Sequence, residues 1–348
     1  MANNEVRKDY LLNRWVVIAK DRKKRPTDFV NDQIANKNTE CPLCPDNEHM
    51  TPPAVLVYLA FDETIKKERD QESLRYKDWL IRVVPNLFPA FSPILESDYS
   101  IPEDSTRLKA VGHHEVFIES PCHTEHPGAA RVSQLVHLIN AYLDRIKDLS
   151  QKAYVKNISI FRNHGSKAGA SLSHAHTQLI TTPFIPTILK EEIKSSKSFW
   201  DKNHECRLCN VLQKEKKGPR FVWENRSFMV FAPWASINPL EFWVMPKKHK
   251  SNILAISGVE IEDLAETMRV SLGGLKTILN DPPYNYGFHT ALSEDVQDYY
   301  HWHLEVYPRL SIWAGFEKST GMFINVISPE DAAIELKKAA EKEKSRVR

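Results

Sequence analysis

The residues with the clearest capacity for chemistry are histidines and cysteines, and they occur as one series written twice. The first half holds Cys41-Pro-Leu-Cys44, then Ser120-Pro-Cys-His123, then His174-Ala-His176-Thr-Gln178. The second half holds Cys206-Arg-Leu-Cys209, then Pro246-Lys-Lys-His249, then His301-Trp-His303-Leu-Glu305. The His-x-His pair trails the lone His by 51 residues in one half and by 52 in the other, the mark of an internal duplication. C-x2-C pairs in a reducing compartment offer thiolates to a metal before they offer disulfides. On an extended strand His174, His176 and Gln178 would project from one face. Just upstream lies His164-Gly-Ser-Lys-Ala-Gly169-Ala-Ser171-Leu-Ser173, whose two glycines and three serines can bring backbone N–H and hydroxyl donors against an anion. A His pair alone could equally bind a metal. The Gly/Ser loop and the glutamine favour phosphoryl chemistry, with imidazole as the nucleophile. The second copy lacks that loop: Leu292–Tyr300 has no glycine but carries Glu294, Asp295 and Asp298, and Glu305 stands where Gln178 stands. His303 is therefore expected to pack or to wall a ligand site, not to attack. The fifth cysteine, Cys122, is expected to be a buried small residue facing away from His123.

The elements that must hold these residues follow from periodicity. Ile81–Val84, Glu115–Glu119 and Ile158–Phe161 are rich in β-branched and aromatic residues and predict strands, after a first strand-like run near residues 15–19. Residues 131–150 have apolar positions at three-to-four spacing and predict an amphipathic helix. The succession recurs as Phe228–Ala232, Glu241–Met245, a helix near 259–279 and a strand through 301–307. Residues 187–204 read as a charged helical connector, and 331–348 as a Lys/Glu-rich, solvated terminal helix. The expected fold is α+β: two tandem repeats with mainly antiparallel sheets, the first over 1–190 and the second over 191–348. With 348 residues, 42% apolar, 26% charged and a net charge of +2, the chain has ordinary globular composition. That charge sets up no general field for nucleic acid or lipid. No run approaches the roughly 18 apolar residues of a membrane helix, and no leader-like apolar stretch opens the chain, so a soluble, cytoplasmic protein is expected. A zinc-ribbon nucleic-acid binder would need its C-x2-C pairs about 15–20 residues apart and a basic face. Here the pairs lie 165 apart, which weakens that alternative.

The string Asn163-His-Gly165-x3-Gly169-x-Ser171-x2-His174-x-His176-x-Gln178 resembles the active-site signature of galactose-1-phosphate uridylyltransferases, a branch of the histidine-triad superfamily. Asn13-Arg-Trp-Val16 with Arg22-Lys-Lys-Arg25-Pro, Ser120-Pro-x-His123 and Tyr307-Pro…Gly315-Phe-Glu317 are similar to further motifs of that family. The matches run from residue 7 to beyond 325. The resemblance implies two histidine-triad-like repeats and a ping-pong transfer. His176 would attack the α-phosphorus of a nucleotide sugar, release a hexose 1-phosphate, and pass the nucleotidyl group to a second sugar phosphate. Gln178, placed where hydrolases of the superfamily carry a third His, would hold phosphoryl oxygens. Asn163, Gly169 and Ser171 would touch phosphates, Arg22 and Arg25 the anionic substrate, Asn86 the nucleoside and Glu317 the hexose; the working unit would be a homodimer. The expected activity is UDP-glucose:hexose-1-phosphate uridylyltransferase. Two departures stand out: Ala175 where many members have Pro, and Leu87 after Asn86 where well-known members have Asp. The second, with the ending Gly315–Asn325, also resembles a plant relative acting as an ADP-glucose phosphorylase, the alternative reading.

For metals, Cys41, Cys44, His123 and His174 make a Cys2His2 set suited to structural zinc. By the repeat, Cys206, Cys209, His249 and His301 make a second. A competing, iron-type set of Glu191, His289, His301 and His303 is implied by other family members; the C-x2-C at 206–209 favours zinc.

Overall fold

The computed structural model describes residues 4–19, 40–62, 64–95, 99 and 109–347. Its centre is an eleven-stranded antiparallel sheet in which the strand order of one half recurs, reversed, in the other. From one edge to the middle run β4 (Thr64–Glu68), β3 (Leu56–Phe61), β5 (Trp79–Pro85), β6 (His114–Ile118), β8 (His176–Thr182) and β7 (Asn157–His164). From the middle to the other edge run β12 (Tyr284–His289), β13 (His303–Pro308), β11 (Phe242–Pro246), β10 (Phe228–Phe231) and β9 (Phe221–Glu224). The order β3-β5-β6-β8-β7 is thus answered by β9-β10-β11-β13-β12, joined where β7 pairs with β12. The fold is α+β, two tandem repeats with a mainly antiparallel sheet, as the periodicity predicts, and it agrees with the histidine-triad-like repeats that the resemblance implies. A separate three-stranded sheet pairs β1 (Glu5–Lys8) with β2 (Trp15–Ile18), and β2 in parallel with β14 (Phe323–Asn325).

One sheet face is covered by α1 (Val132–Leu149) and its counterpart α4 (Gly258–Leu279). In α1, Leu135, Leu138, Ile139, Tyr142 and Ile146 are buried at three-to-four spacing against Ile81, Val83 and Phe117. A reciprocal Ser257–Glu260 capping box starts α4 and Asn280 in the left-handed region stops it. The opposite face, bearing Val84, Val116 and Ile118, is left to the loops and carries the site. A connector of α2 (Thr187–Asn203) and α3 (Arg207–Lys216) joins the halves. The short α5 (Gly315–Thr320) follows β13. The terminal helix α6 (Pro329–Val347) is not the solvated end expected. Ala332, Ala333, Leu336, Ala339 and Ala340 are buried, and Ala339 and Ala340 lie directly against Gly274 of α4. Small residues let two helices approach closely, and their low hydrophobicity hid this face among the lysines and glutamates. No helix among the described residues is long and apolar enough to cross a membrane.

Candidate active site and metal centres

The two Cys-Cys-His-His series assemble as two compact clusters. In the first, Cys44 Sγ lies 3.3 Å from His123 Nδ1 and 3.5 Å from His174 Nδ1, and Cys41 Sγ lies 3.8 Å from His174 Nδ1. A tetrahedron with Zn–S of about 2.3 Å and Zn–N of about 2.1 Å has S–N edges of about 3.6 Å, so these separations suit one central ion. In the second, Cys209 Sγ lies 3.4 Å from both His249 Nδ1 and His301 Nδ1, with Cys206 completing the set. Outer hydrogen bonds turn Nδ1 toward the centre: His174 Nε2–H donates to the Ser120 carbonyl at 2.8 Å and His249 Nε2–H to the Gln297 carbonyl at 2.7 Å. Both donor sets fit zinc.

The iron-type set does not form as expected. Glu191 is exposed on α2, and the adjacent Glu192 is buried, with its Oε1 2.8 Å from His289 Nδ1. His301 belongs to the cysteine cluster, so the remaining group is Glu192, His289, His303 and Glu305. The helical register of α2, which sequence spacing resolves no better than one residue, decides which glutamate turns inward. Cys122 is also corrected: it is exposed, in a turn after β6 instead of on a strand.

His174 lies just ahead of β8, so only His176 and Gln178 share that strand's face. The His176 ring is buried, and its Nδ1–H donates to the His174 carbonyl at 2.8 Å. This fixes the tautomer with the Nε2 lone pair free. Burial, chiefly, and the nearby Arg162 hold the imidazole below its usual pKa, so it is neutral and nucleophilic at physiological pH. Behind the strand, fully buried Arg162 pairs with Glu119 and donates to the His176 carbonyl at 3.2 Å. Glu119 also accepts from Thr177 Oγ1, which Tyr142 OH bonds at 2.8 Å. The Cys/His cluster in front and this network behind leave the His176 ring little freedom.

His176 and Gln178 open onto a pocket of about 330 Å³ that Asn86, Leu87 and Ser171 also line, together with apolar Leu43, Val84, Val116 and Leu172. Much of the lining is therefore apolar, with His176, Gln178, Asn86 and Ser171 among its polar groups. Asn163 lies on β7, where Asn285 Nδ2 donates to its Oδ1 at 2.8 Å, leaving its own Nδ2 as a donor. Gly165 (φ 80°) and Gly169 (φ 87°) adopt backbone that a side chain would strain, shaping the turn that carries Ser171 toward the pocket. Glu317 sits on α5 beside β14 and is not among the residues lining this pocket. Arg22 and Arg25 lie outside the described residues. Sequence reading missed Asn285, Arg162, Glu119 and His114, whose Nε2 lies 2.8 Å from Gln178 Oε1. None of them belongs to a motif or a spacing that would single it out in the sequence.

The corresponding space in the second half is filled. Trp243 stacks on His303 with ring centroids 4.7 Å apart, and Tyr10, Leu11 and Leu12 pack over Trp243 and Met245. His303 Nε2, the counterpart of the free nitrogen of His176, is bonded to Glu305 Oε1 at 3.0 Å.

Comparison with known proteins agrees with this geometry. Residues 124–347 match a family model described as "Domain of unknown function (DUF4921)". The chain is 35% identical over 338 residues to the ADP-glucose phosphorylase of Arabidopsis thaliana, covering 94% of this chain and 91% of that one. It is 28% identical over 343 residues to the galactose-1-phosphate uridylyltransferase of Thermotoga maritima, covering 96% and 98%. A crystal structure of an Arabidopsis thaliana ADP-glucose phosphorylase with bound ADP-glucose superposes with a TM-score of 0.81 at 31% identity, over 96% of this chain and 99% of the other. With 94–96% of the chain aligned to these relatives and the His-x-His-x-Gln strand at the pocket, the chain belongs to the galactose-1-phosphate uridylyltransferase family of the histidine-triad superfamily, as a nucleotidyltransferase acting on sugar phosphates.

Proposed function

We propose that this protein is an NDP-sugar phosphorylase that uses ADP-glucose, working through a nucleotidyl-His176 intermediate in the repeat over residues 1–190. The observation that carries the mechanism is the His176 ring: neutral, locked through Nδ1–H to the His174 carbonyl, and facing a pocket through Nε2. Nε2 attacks the α-phosphorus, the bond to the bridging oxygen breaks, and glucose 1-phosphate leaves. Inorganic phosphate then attacks the same phosphorus and releases ADP, restoring the free imidazole. Gln178 donates to a phosphoryl oxygen, Asn163 and Ser171 flank the phosphates, and Asn86 meets the nucleoside. Cys41, Cys44, His123 and His174 would hold a zinc ion that would keep the start of β8 in place; a second ion, on Cys206, Cys209, His249 and His301, would staple the repeat over 191–348. That second repeat has no role as a nucleophile, because Trp243 and Glu305 occupy both approaches to His303.

Adenine and phosphate are favoured over uracil and galactose 1-phosphate by the higher identity to the plant phosphorylase and by Leu87 at the pocket wall. The uridylyltransferase reading stays as the second, supported by the Thermotoga maritima relative. The test is intact-mass analysis after mixing with ADP-glucose or UDP-glucose, then adding phosphate or galactose 1-phosphate. An adenylyl adduct, discharged by phosphate to ADP and absent in His176→Gly, is expected. A persisting adduct in that variant would overturn the mechanism, and an adduct from UDP-glucose alone would shift the assignment to the uridylyltransferase.

A further inference from the structure

We infer that His114 is a positioning residue that decides which end of the Gln178 carboxamide faces the reacting phosphoryl group. The inference rests on the nucleotidyl-transfer reading above. His114 opens β6, and the β6–β8 register sets Val116 opposite Gln178 and His114 opposite Ile180. His114 is therefore the diagonal same-face neighbour of Gln178, within reach of a long side chain. Its ring is held at both nitrogens. The Ala90 backbone N–H lies 3.1 Å from Nδ1 and can only donate, so Nδ1 is unprotonated and the neutral ring carries its proton on Nε2. That Nε2–H meets Gln178 Oε1 at 2.8 Å.

The consequence for Gln178 is directional. With its oxygen bound to His114, its Nε2 hydrogens face the pocket as donors for a phosphoryl oxygen. Turned the other way, the amide would set N–H against N–H and present its own oxygen to an anion. The adjoining carboxamide cannot reverse this. Phe88 N–H donates to Asn86 Oδ1 at 2.9 Å, so Asn86 presents only Nδ2, a donor 3.1 Å from His114 Nε2. Asn86 Nδ2 therefore cannot accept the proton on Nε2, which is left to Gln178 Oε1. The order Ala90 N–H to His114, His114 N–H to Gln178, Gln178 N–H to phosphate fixes a donor before substrate arrives, the preorganisation that favours developing charge.

The test is single-turnover labelling by ADP-glucose, followed by intact mass, for wild type and for His114→Ala, His114→Gln and His114→Glu, each also combined with Gln178→Ala. Zinc content and melting temperature check folding. His114→Ala is expected to slow labelling roughly tenfold. His114→Gln, which can accept from Ala90 and donate to Gln178, recovers most of that rate. His114→Glu, an acceptor only, draws the amino end of Gln178 to itself and labels more slowly than alanine. In the Gln178→Ala background the three substitutions have no further effect. If the alanine variant does not fold, the isosteric Gln and Glu pair carries the comparison. Wild-type labelling rates in folded His114→Ala, equal rates for Gln and Glu, or effects that persist without Gln178 overturn the inference while leaving nucleotidyl transfer intact. Absence of any adduct in the wild type removes both.

Discussion

Arg162 shows how a residue away from the pocket governs the one in it. It donates to the His176 carbonyl through Nη1 and to His126 Nδ1 through Nη2, at 2.9 Å, while Glu119 balances its charge. His126 Nδ1 must be unprotonated to accept from a guanidinium. Burial, then the Arg162 charge and His164, push its pKa down to about 3, against smaller opposition from Asp281. In the unfolded chain the ring titrates near 6.5, so the folded state binds fewer protons between these values. The stability this group contributes is present above about pH 6.5 and is lost as pH falls toward 3. His126→Gln, which keeps an acceptor without a titrating ring, is expected to be unfolded by urea nearer to the wild-type midpoint at pH 5 than at pH 7.5. A gap that stays constant across that range would refute the assignment. Nothing in the sequence marked this histidine: His174, His176 and Gln178 announce themselves by alternation, whereas Arg162, Glu119 and His126 come together only through sheet register. Position along one strand is local information; which strand lies beside it is not.

At the scale of elements, each cysteine-histidine cluster joins three pieces of chain that are distant in sequence. The first ties the turn at Cys41–Cys44 to the loop after β6 and to the residue ahead of β8. The second ties the start of α3 to the loop after β11 and the residue ahead of β13. Since only the first adjoins His176, the two are separable by substitution. Cys209→Ser is expected to lower zinc from two ions per chain to one and to lower the melting temperature, with adenylyl labelling at His176 retained. Cys44→Ser is expected to lose zinc and labelling together, because His174 also supplies the carbonyl that fixes the His176 tautomer. Metal analysis beside intact mass checks both, and equal labelling in the two variants would contradict the division. These two groupings of side chains were legible because metal chemistry would restrict residue type and spacing so tightly. Elements whose evidence is compositional were read less well. The lysines and glutamates of α6 masked its alanine face, and the choice between Glu191 and Glu192 depended on where α2 begins.

Over the whole molecule, the repeats share one sheet. At the seam β12 pairs with β7 from Tyr284 opposite His164 to Gly287 opposite Phe161, so Asn285 of one half orients Asn163 of the other. The hydroxyls of Tyr142 and Tyr286 meet across it at 3.2 Å, and α1 packs on α4 above it. The chain's ends reinforce the joint: β2 pairs with β14, and Glu330 at the start of α6 receives Arg7 and Arg220. Duplication made the two halves recognisable in the sequence, but the seam itself was not, because both of its strands resemble any buried strand. A β7 left without β12 would expose a sheet edge and strand Arg162 beside lost neighbours, a costly state for a buried ion. Independent melting of the halves is therefore disfavoured, despite a length at which separate domains are common. The zinc-loaded chain is expected to unfold in one calorimetric transition, with van't Hoff and calorimetric enthalpies in agreement, and Tyr286→Phe should lower its midpoint without splitting it. Two resolved transitions in the unsubstituted protein would show that the seam is a contact between domains instead of the middle of a single core.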